Sequence, residues 1–353
     1  MNTPPRTTII FSNIPQDWLV GIDLQFFNTN HILKGIKLVP DGIHIVHFAK
    51  DQSSIRHGFY INAKEGDVII CYWDEKDEKI LVDDEIGELN ITKEMSKLSD
   101  YYSFMISYPP DPEWKKLTQY INFGQVNYIL PRGKRIDSVL TSSDENNLLL
   151  DALQKSAKSR NLTQDPIINS IIDQSDEEIK YTLIDLNKTI RPDGTAGEKT
   201  KDSLDKSWFL NQLLISGYNS NEEMLLSEFQ QAFLNMIIFA NYSSSIQWLK
   251  FIKVIMNCKE ILNGRLIFFE KFLDVLIVQF GKFQEDYMDE FISEDFLDTT
   301  ISEFEYTVKE QELRPLIKKT IELKNLLLVK FSITIQGLME DEEEAPVVVD
   351  ISV

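Results

Sequence analysis

Leu38-Val39-Pro40-Asp41-Gly42-Ile43-His44-Ile45-Val46-His47-Phe48, residues 38–48, decides the fold of the first half of this chain. The apolar pair Leu38-Val39 runs into Pro-Asp-Gly, whose residues pre-set or permit the dihedrals of a tight turn. Beyond the turn the side chains alternate. Ile43, Ile45 and His47 fall on one face of a strand, and His44, Val46 and Phe48 on the other.

Working outward, a short β-branched run lies at Thr7–Phe11, and further strand-like runs lie at Gly58–Asn62 and Val68–Trp73. Residues 74–78 join the last of these to Lys79–Val82 as a hairpin. Tyr101–Ser107 reads as another strand, stopped by Pro109-Pro110, and Glu113–Ile121 as a short helix. Leu148–Lys158 has a helical pattern, after which the chain turns polar through Arg191-Pro192-Asp193-Gly194.

From Ser203 the apolar period changes from two to between three and four. Ser220-Asn221-Glu222-Glu223 fits a capping box with Ser220 at N-cap, followed by the stripe Leu226, Phe229, Phe233 and Ile237. Ser243–Ser245 can cap the next helix, and Leu266–Phe280 carries a third apolar face. Thr300-Ile301-Ser302-Glu303 reads as a second capping box, and Leu313–Phe331 as a long helix with Pro315 in its first turn. Trp208 and Trp248 are expected in the core.

The expected class is therefore multidomain α+β: a β-rich N-terminal domain over 1–150, a linker with a short helix over 151–202, and an all-α domain over 203–335. Residues 336–353 form an acidic tether and a C-terminal β-strand tail. Gly337–Glu344 reads GLMEDEEE, a solvated run. Val347, Val349, Ile351 and Val353 then alternate at period two. Such a strand suits an edge position in its own domain, and it equally suits addition to another protein's sheet.

Charge excludes some functions. Lys and Arg number 36 against 56 Asp and Glu, a net charge of −20, and such a surface repels phosphate backbones. No direct nucleic-acid binding is expected. No apolar run reaches the ~18 residues of a membrane span, and the N-terminus lacks a secretory pattern. The two cysteines, Cys71 and Cys258, make no disulfide scaffold, and a reducing intracellular setting is expected.

Candidate chemistry is thin. His44 and His47, with His31 and His57 near in sequence, invite a metal reading. Residues three apart on a strand point to opposite faces, so structural histidines bonded to a turn are the expected reading. Cys71 sits in an apolar strand as a small hydrophobe. No nucleophile elbow, P-loop or G-x-G-x-x-G is present, and acidic stretches such as 83–85 lie in polar loops. Neither enzyme activity, nor a metal, nor a cofactor is expected. Ser142, Ser175 and Ser220 each precede an acid at the third position. That pattern suits a helix cap at Ser220 and leaves modification open at Ser142 and Ser175.

Several stretches carry a family resemblance. They are Gly21-Ile22-Asp23, residues 35–48, Arg56-His57-Gly58-Phe59, residues 117–121 and 200–205, Glu228-Phe229-Gln230-Gln231-Ala232-Phe233, Gln247-Trp248 and Ala345–Asp350. Together, in this order, they resemble the AAR-two splicing-factor family. The resemblance implies a non-enzymatic assembly factor and chaperone of the U5 small nuclear ribonucleoprotein (snRNP) in pre-mRNA splicing, cytoplasmic and nuclear. Its implied partner is the large U5 scaffold protein (precursor-RNA-processing protein eight), bound through RNase H-like and endonuclease-like domains in a U5 snRNP precursor while the U5 helicase is kept off. It further implies a VHS-like helical domain and strand addition by the tail, with Val347, Val348, Val349, Asp350, Ile351 and Val353 as partner-binding residues. A phosphorylation switch goes with the family and falls on no particular residue here. A helical peptide-binding adaptor unrelated to splicing is the alternative reading.

Overall fold

The computed structural model describes residues 6–130, 135–159, 177–285 and 291–337. Its contacts divide the chain into two compact units, Met1–Ile184 with Leu214–Phe251, and Asp185–Leu213 with Ile252–Val353.

Among the described residues the first unit holds ten strands: β1 Thr7–Ser12, β2 Leu19–Ile22, β3 Gln25–Asn28, β4 Gly35–Val39, β5 Gly42–Ala49, β6 His57–Ala63, β7 Val68–Asp74, β8 Lys79–Val82, β9 Met105–Ser107 and β10 Arg135–Asp137. They form two five-stranded sheets, ordered β8-β7-β1-β4-β9 and β10-β6-β5-β2-β3. The stretch 38–48 carries the chain from one sheet to the other. Pro40 and Asp41 make the crossing, and Gly42 supports it with a φ of +128° that side-chain-bearing residues rarely adopt.

Alternation along the strands then builds the layers. Ile9, Phe11, Ile36, Val39, Ile69 and Cys71 from the first sheet meet Val20, Ile22, Val46, Phe48, Phe59 and Ile61 from the second, a sandwich core. Odd and even positions of β1 part company: Ile10 and its neighbour Ile70 turn to the outer face with Ile86 and Met105. Helices α1 Glu88–Ser96 and α2 Leu98–Tyr101 cover that face through Ile91, Leu98 and Tyr101. The parallel pairing of β1 with β7 and the hairpin of β7 with β8 complete the first sheet.

Two short helices follow, α3 Trp114–Leu117 and α4 Phe123–Ile129, and then the longer α5 Ser143–Ser159. The strand expected at Tyr101–Ser107 is only three residues long, because Leu98–Phe104 is helical and turn-like. The single helix expected over Glu113–Ile121 stops at Leu117; Asn122 caps a second one by accepting from the Gln125 N–H.

After α6 Ala196–Leu204 and α7 Ser207–Tyr218 comes the helix most enclosed by the first unit, α8 Glu222–Phe239. It was expected as an amphipathic stripe, but fourteen of its residues are buried, on every face, and Ile237 of the stripe is not among them. Its N-cap is Asn221, whose side chain accepts from the N–H groups of Glu223 and Met224; Ser220 precedes it in left-handed conformation. The capping box expected at Ser220 is thus replaced by a simple asparagine cap one residue later, with Met224 at N3. In α9, Tyr242–Met256, the N–H of Ser244 donates to Asn241 Oδ1, so an asparagine again caps where the serines were expected to.

In the second unit, α10 Leu266–Lys282 and α11 Glu294–Glu310 both pack on α12 Arg314–Phe331. Phe268, Phe269, Phe272, Leu273, Phe304, Leu323 and Leu327 fill the core of that bundle. Pro315 sits in the first turn of α12, as its missing N–H requires. Helix α11 is capped seven residues before the expected box at Thr300, by Ser293, whose hydroxyl accepts from the Phe296 N–H. Trp208 is only half-buried, with the Arg191 guanidinium 5.6 Å from its ring centre. That same guanidinium is bidentate to Asp202, whose carboxyl it holds below the usual carboxylate range.

Candidate functional site

Asp23 organises the first candidate region. It follows β2 in left-handed conformation, and its N–H donates to the Ile45 carbonyl at 2.8 Å. Oδ1 accepts from the Ile45 N–H at 3.0 Å, while Oδ2 lies 2.7 Å from both the Tyr108 hydroxyl and His44 Nδ1. The other nitrogen of His44 faces the Pro40 carbonyl at 2.9 Å, so this histidine ties the turn, as the sequence suggests. The Trp114 indole lies nearly parallel to the His44 ring and donates to the Ile43 carbonyl at 2.8 Å. Burial, and then the Asp23 carboxylate, push the Tyr108 phenol well up from its usual range.

Above this cluster lies a cavity of about 770 Å³, lined by Pro40, Gly42, Tyr108, Pro110, Pro112 and Trp114 among others. Its size is that of a pocket for a small ligand or a few side chains. Both nitrogens of His44 and both oxygens of Asp23 are already engaged, so the cluster braces the sheet-to-sheet crossing and holds no idle base.

His47 points to the other face of β5. It is buried, bonded to the Asp23 carbonyl at 3.1 Å and edge-on to Phe239 at 6.3 Å. Burial first, and the Arg56 charge second, push its pKa down to about 3. The two histidines therefore share Asp23 but not one ligand position. His57 pairs with Asp137 at 3.4 Å, and His31 is exposed. Among the described residues no group of three or more His, Cys, Asp or Glu is placed to hold a metal.

A second cluster belongs to α8. Glu228 is buried and accepts from the Thr182 N–H at 2.8 Å, the Thr182 hydroxyl at 2.7 Å and Gln247 Nε2 at 2.9 Å. Burial still holds its carboxyl above the usual range. Gln230 accepts from the Tyr120 N–H and donates to the Lys116 carbonyl. Ser227 accepts from the Asn122 N–H. Asn235 accepts from Tyr60 and donates to Tyr181, and Arg56 donates to the Ile238 carbonyl at 2.6 Å. The motif residues Glu228, Gln230 and Gln247 thus act first as internal fastenings. Their polarity inside an apolar helix was the signal that the periodicity reading passed over.

The remaining sequence candidates are scattered. Cys71 is fully buried, and burial pushes its thiol far up, out of reach of thiolate chemistry. Ser142 is buried too; its hydroxyl accepts from the Glu145 N–H and its own N–H donates to Ser243 Oγ, so it caps α5 instead of standing open. Ser175 and the partner-binding residues Val347, Val348, Val349, Asp350, Ile351 and Val353 lie outside the described residues. None of the described helices is long and apolar enough to cross a membrane.

Sandwich, central helix and helical bundle define an α+β protein in which β-strands fill the N-terminal part and helices the C-terminal part. Two family descriptions match it, "AAR2 N-terminal domain" over residues 5–131 and "AAR2 C-terminal repeat region" over residues 181–336. The chain is similar to the A1 cistron-splicing factor AAR2 of Saccharomyces cerevisiae, at 30% identity over 83% of this chain and 81% of that protein. It is also similar to the AAR2 homolog of Caenorhabditis elegans (24%, covering 92% and 93%) and to that of Homo sapiens (22%, covering 98% and 93%). The chain belongs to the AAR2 family.

Proposed function

We propose that this protein is a non-enzymatic assembly factor of the U5 snRNP in pre-mRNA splicing. The observation that supports this most is the match of both halves of the chain to one family, including a yeast relative named as a splicing factor. In this reading the protein works in cytoplasm and nucleus as a chaperone of the large U5 scaffold protein. It engages the RNase H-like and endonuclease-like domains of that scaffold and keeps the helicase off until assembly is complete. The helical region acts as a VHS-like docking body.

The tail residues Val347, Val348, Val349, Asp350, Ile351 and Val353 add a strand between scaffold domains. Burying the four alternating side chains contributes roughly 6–12 kcal/mol. Ordering the backbone from Ala345 to Val353 costs about 9–18 kcal/mol, and each ladder hydrogen bond returns about 1 kcal/mol. The sum is close to zero, so the tail locks a complex that the folded body has already made, through high effective concentration.

Crosslinking of the full chain in cell extract, read by mass spectrometry, tests this. Crosslinks to scaffold-protein peptides are expected. Crosslinks to membrane-trafficking cargo instead would replace the reading with that of a peptide-binding adaptor.

A further inference from the structure

A second pocket in the first unit has no part in the reading above. It measures about 330 Å³ and lies where the parallel strands β1 and β7 end, at Phe11, Ser12 and Tyr72. The crevice beyond the carboxyl ends of parallel strands is a common place for ligands in open sheets. Its ionisable lining is Lys34, Lys93, Lys97 and His31, with Tyr72, Tyr101 and a single carboxylate, Glu94. In a chain of net charge −20 this is a local excess of cations. Lys34 and Lys93 have no carboxylate partner among the described residues; Lys34 rests near the Tyr101 ring, 5.8 Å from its centre.

Glu94 supplies an independent observation. It is only 4% exposed; Oε1 accepts from Lys97 Nζ at 3.0 Å, and Oε2 has no hydrogen-bond partner among the described residues. A buried carboxylate oxygen without a donor is costly, and a ligand hydroxyl placed there would relieve that cost. Two unpaired lysines favour an oxyanion of more than one charge, and a phosphate monoester carries about −1.5 to −2 at neutral pH. We propose that this pocket binds a small phosphorylated polyol, its phosphate held by Lys34 and Lys93 and one hydroxyl donating to Glu94 Oε2. Asn13, Asn30 and Asn90 line the same space; Asn30 Oδ1 already accepts from the Ile32 and Leu33 N–H groups, so Asn13 and Asn90 are the residues suited to further hydroxyls.

Calorimetric titration of the full chain with glucose 6-phosphate, glucose and inorganic phosphate tests the assignment. Glucose 6-phosphate is expected to bind at least tenfold more tightly than either of the others. The double variant Lys34→Gln/Lys93→Gln should lose tenfold or more, and Lys34→Arg/Lys93→Arg should retain binding. Glu94→Ala, which removes the acceptor, should erase the preference over inorganic phosphate, and Glu94→Gln, which keeps one, should retain it. Circular dichroism of each variant separates lost binding from lost folding. Flotation with vesicles containing phosphatidylinositol 4-phosphate distinguishes a lipid headgroup from a free compound as the source. Equal, weak binding of all three compounds, unmoved by the lysine changes, would mean an adventitious ion only and would overturn the proposal. So would no binding at all.

Discussion

The Tyr60 hydroxyl, on β6, donates to Asn235 Oδ1 in the middle of α8 at 2.8 Å, across 175 residues of sequence. Asn235 Nδ2 passes the chain on to Tyr181, whose hydroxyl meets Ser244 Oγ at 2.8 Å. Both Tyr60 and Asn235 are buried, so the bond fastens the second sheet to a helix that local sequence would assign to a separate helical domain.

Asn235→Ala should therefore destabilise the first unit by about 1–3 kcal/mol, since it strands the buried Tyr60 hydroxyl, while Tyr181 keeps Ser244 as a partner. Tyr60→Phe, which strands only one amide oxygen, should cost about 1–2 kcal/mol. Urea unfolding of the two single variants and the double variant checks this. A double-mutant loss equal to the sum of the single losses would show that the bond carries no coupling.

Glu228 gives a contrast between two substitutions. Burial raises its carboxyl above the ordinary value of 4.5, so at neutral pH the charged form is the costly one in the folded chain. Glu228→Gln keeps an acceptor for the Thr182 and Gln247 donors and removes that charge; stability should change by less than about 1 kcal/mol. Glu228→Ala leaves those donors unmatched and should cost about 2–4 kcal/mol. Thermal unfolding at pH 7 distinguishes the two.

His47 sets an acid limit. Its pKa falls from 6.5 to about 3 on folding, so between those values the unfolded chain holds a proton that the folded chain does not. The stability it contributes is complete above pH 6.5 and declines as pH falls towards 3, by up to about 1.4 kcal/mol per unit. Denaturant titrations at pH 7, 6, 5 and 4 should show this slope, and His47→Gln should flatten it by the share of one proton.

These relationships mark where the sequence was readable. Period-two alternation located β5, and short apolar runs bounded by turns located β1, β6, β7 and β8, because both patterns are local. The histidines of β5 were correctly set on opposite faces. Strands β2 and β3 and helix α1 went unread. Leu19–Ile22 is short and fully buried, so it shows no alternation, while Gln25–Asn28 is mostly exposed at a sheet edge. The caps at Asn221, Asn241 and Ser293 were each misplaced, because several capping residues stand side by side and only the backbone geometry selects one. The buried Gln230 amide takes partners more than a hundred residues away, at Lys116 and Tyr120, and the Glu228 carboxylate takes its partners from Thr182 and Gln247, so no local pattern shows either one as buried.

Gly58 is a position where any side chain collides. A Cβ there would lie 2.5 Å from the Val46 carbonyl oxygen and 2.7 Å from the Phe239 ring. The carbonyl belongs to the β5–β6 ladder and cannot yield cheaply. Gly58→Ala should cost about 3 kcal/mol or more, read as a lowered urea midpoint. An unchanged midpoint would show that β6 and α8 are packed less tightly than described.

The claim that this chain chaperones the U5 scaffold is tested most directly by affinity purification from cell extract with quantitative mass spectrometry, for the full chain beside a chain ending at Glu344. The account predicts that the full chain recovers the large U5 scaffold protein, and that the shortened chain recovers less of it but still a detectable amount. Recovery of neither the scaffold nor other U5 components by the full chain would contradict the assembly role, and equal recovery by both chains would contradict strand addition by the tail.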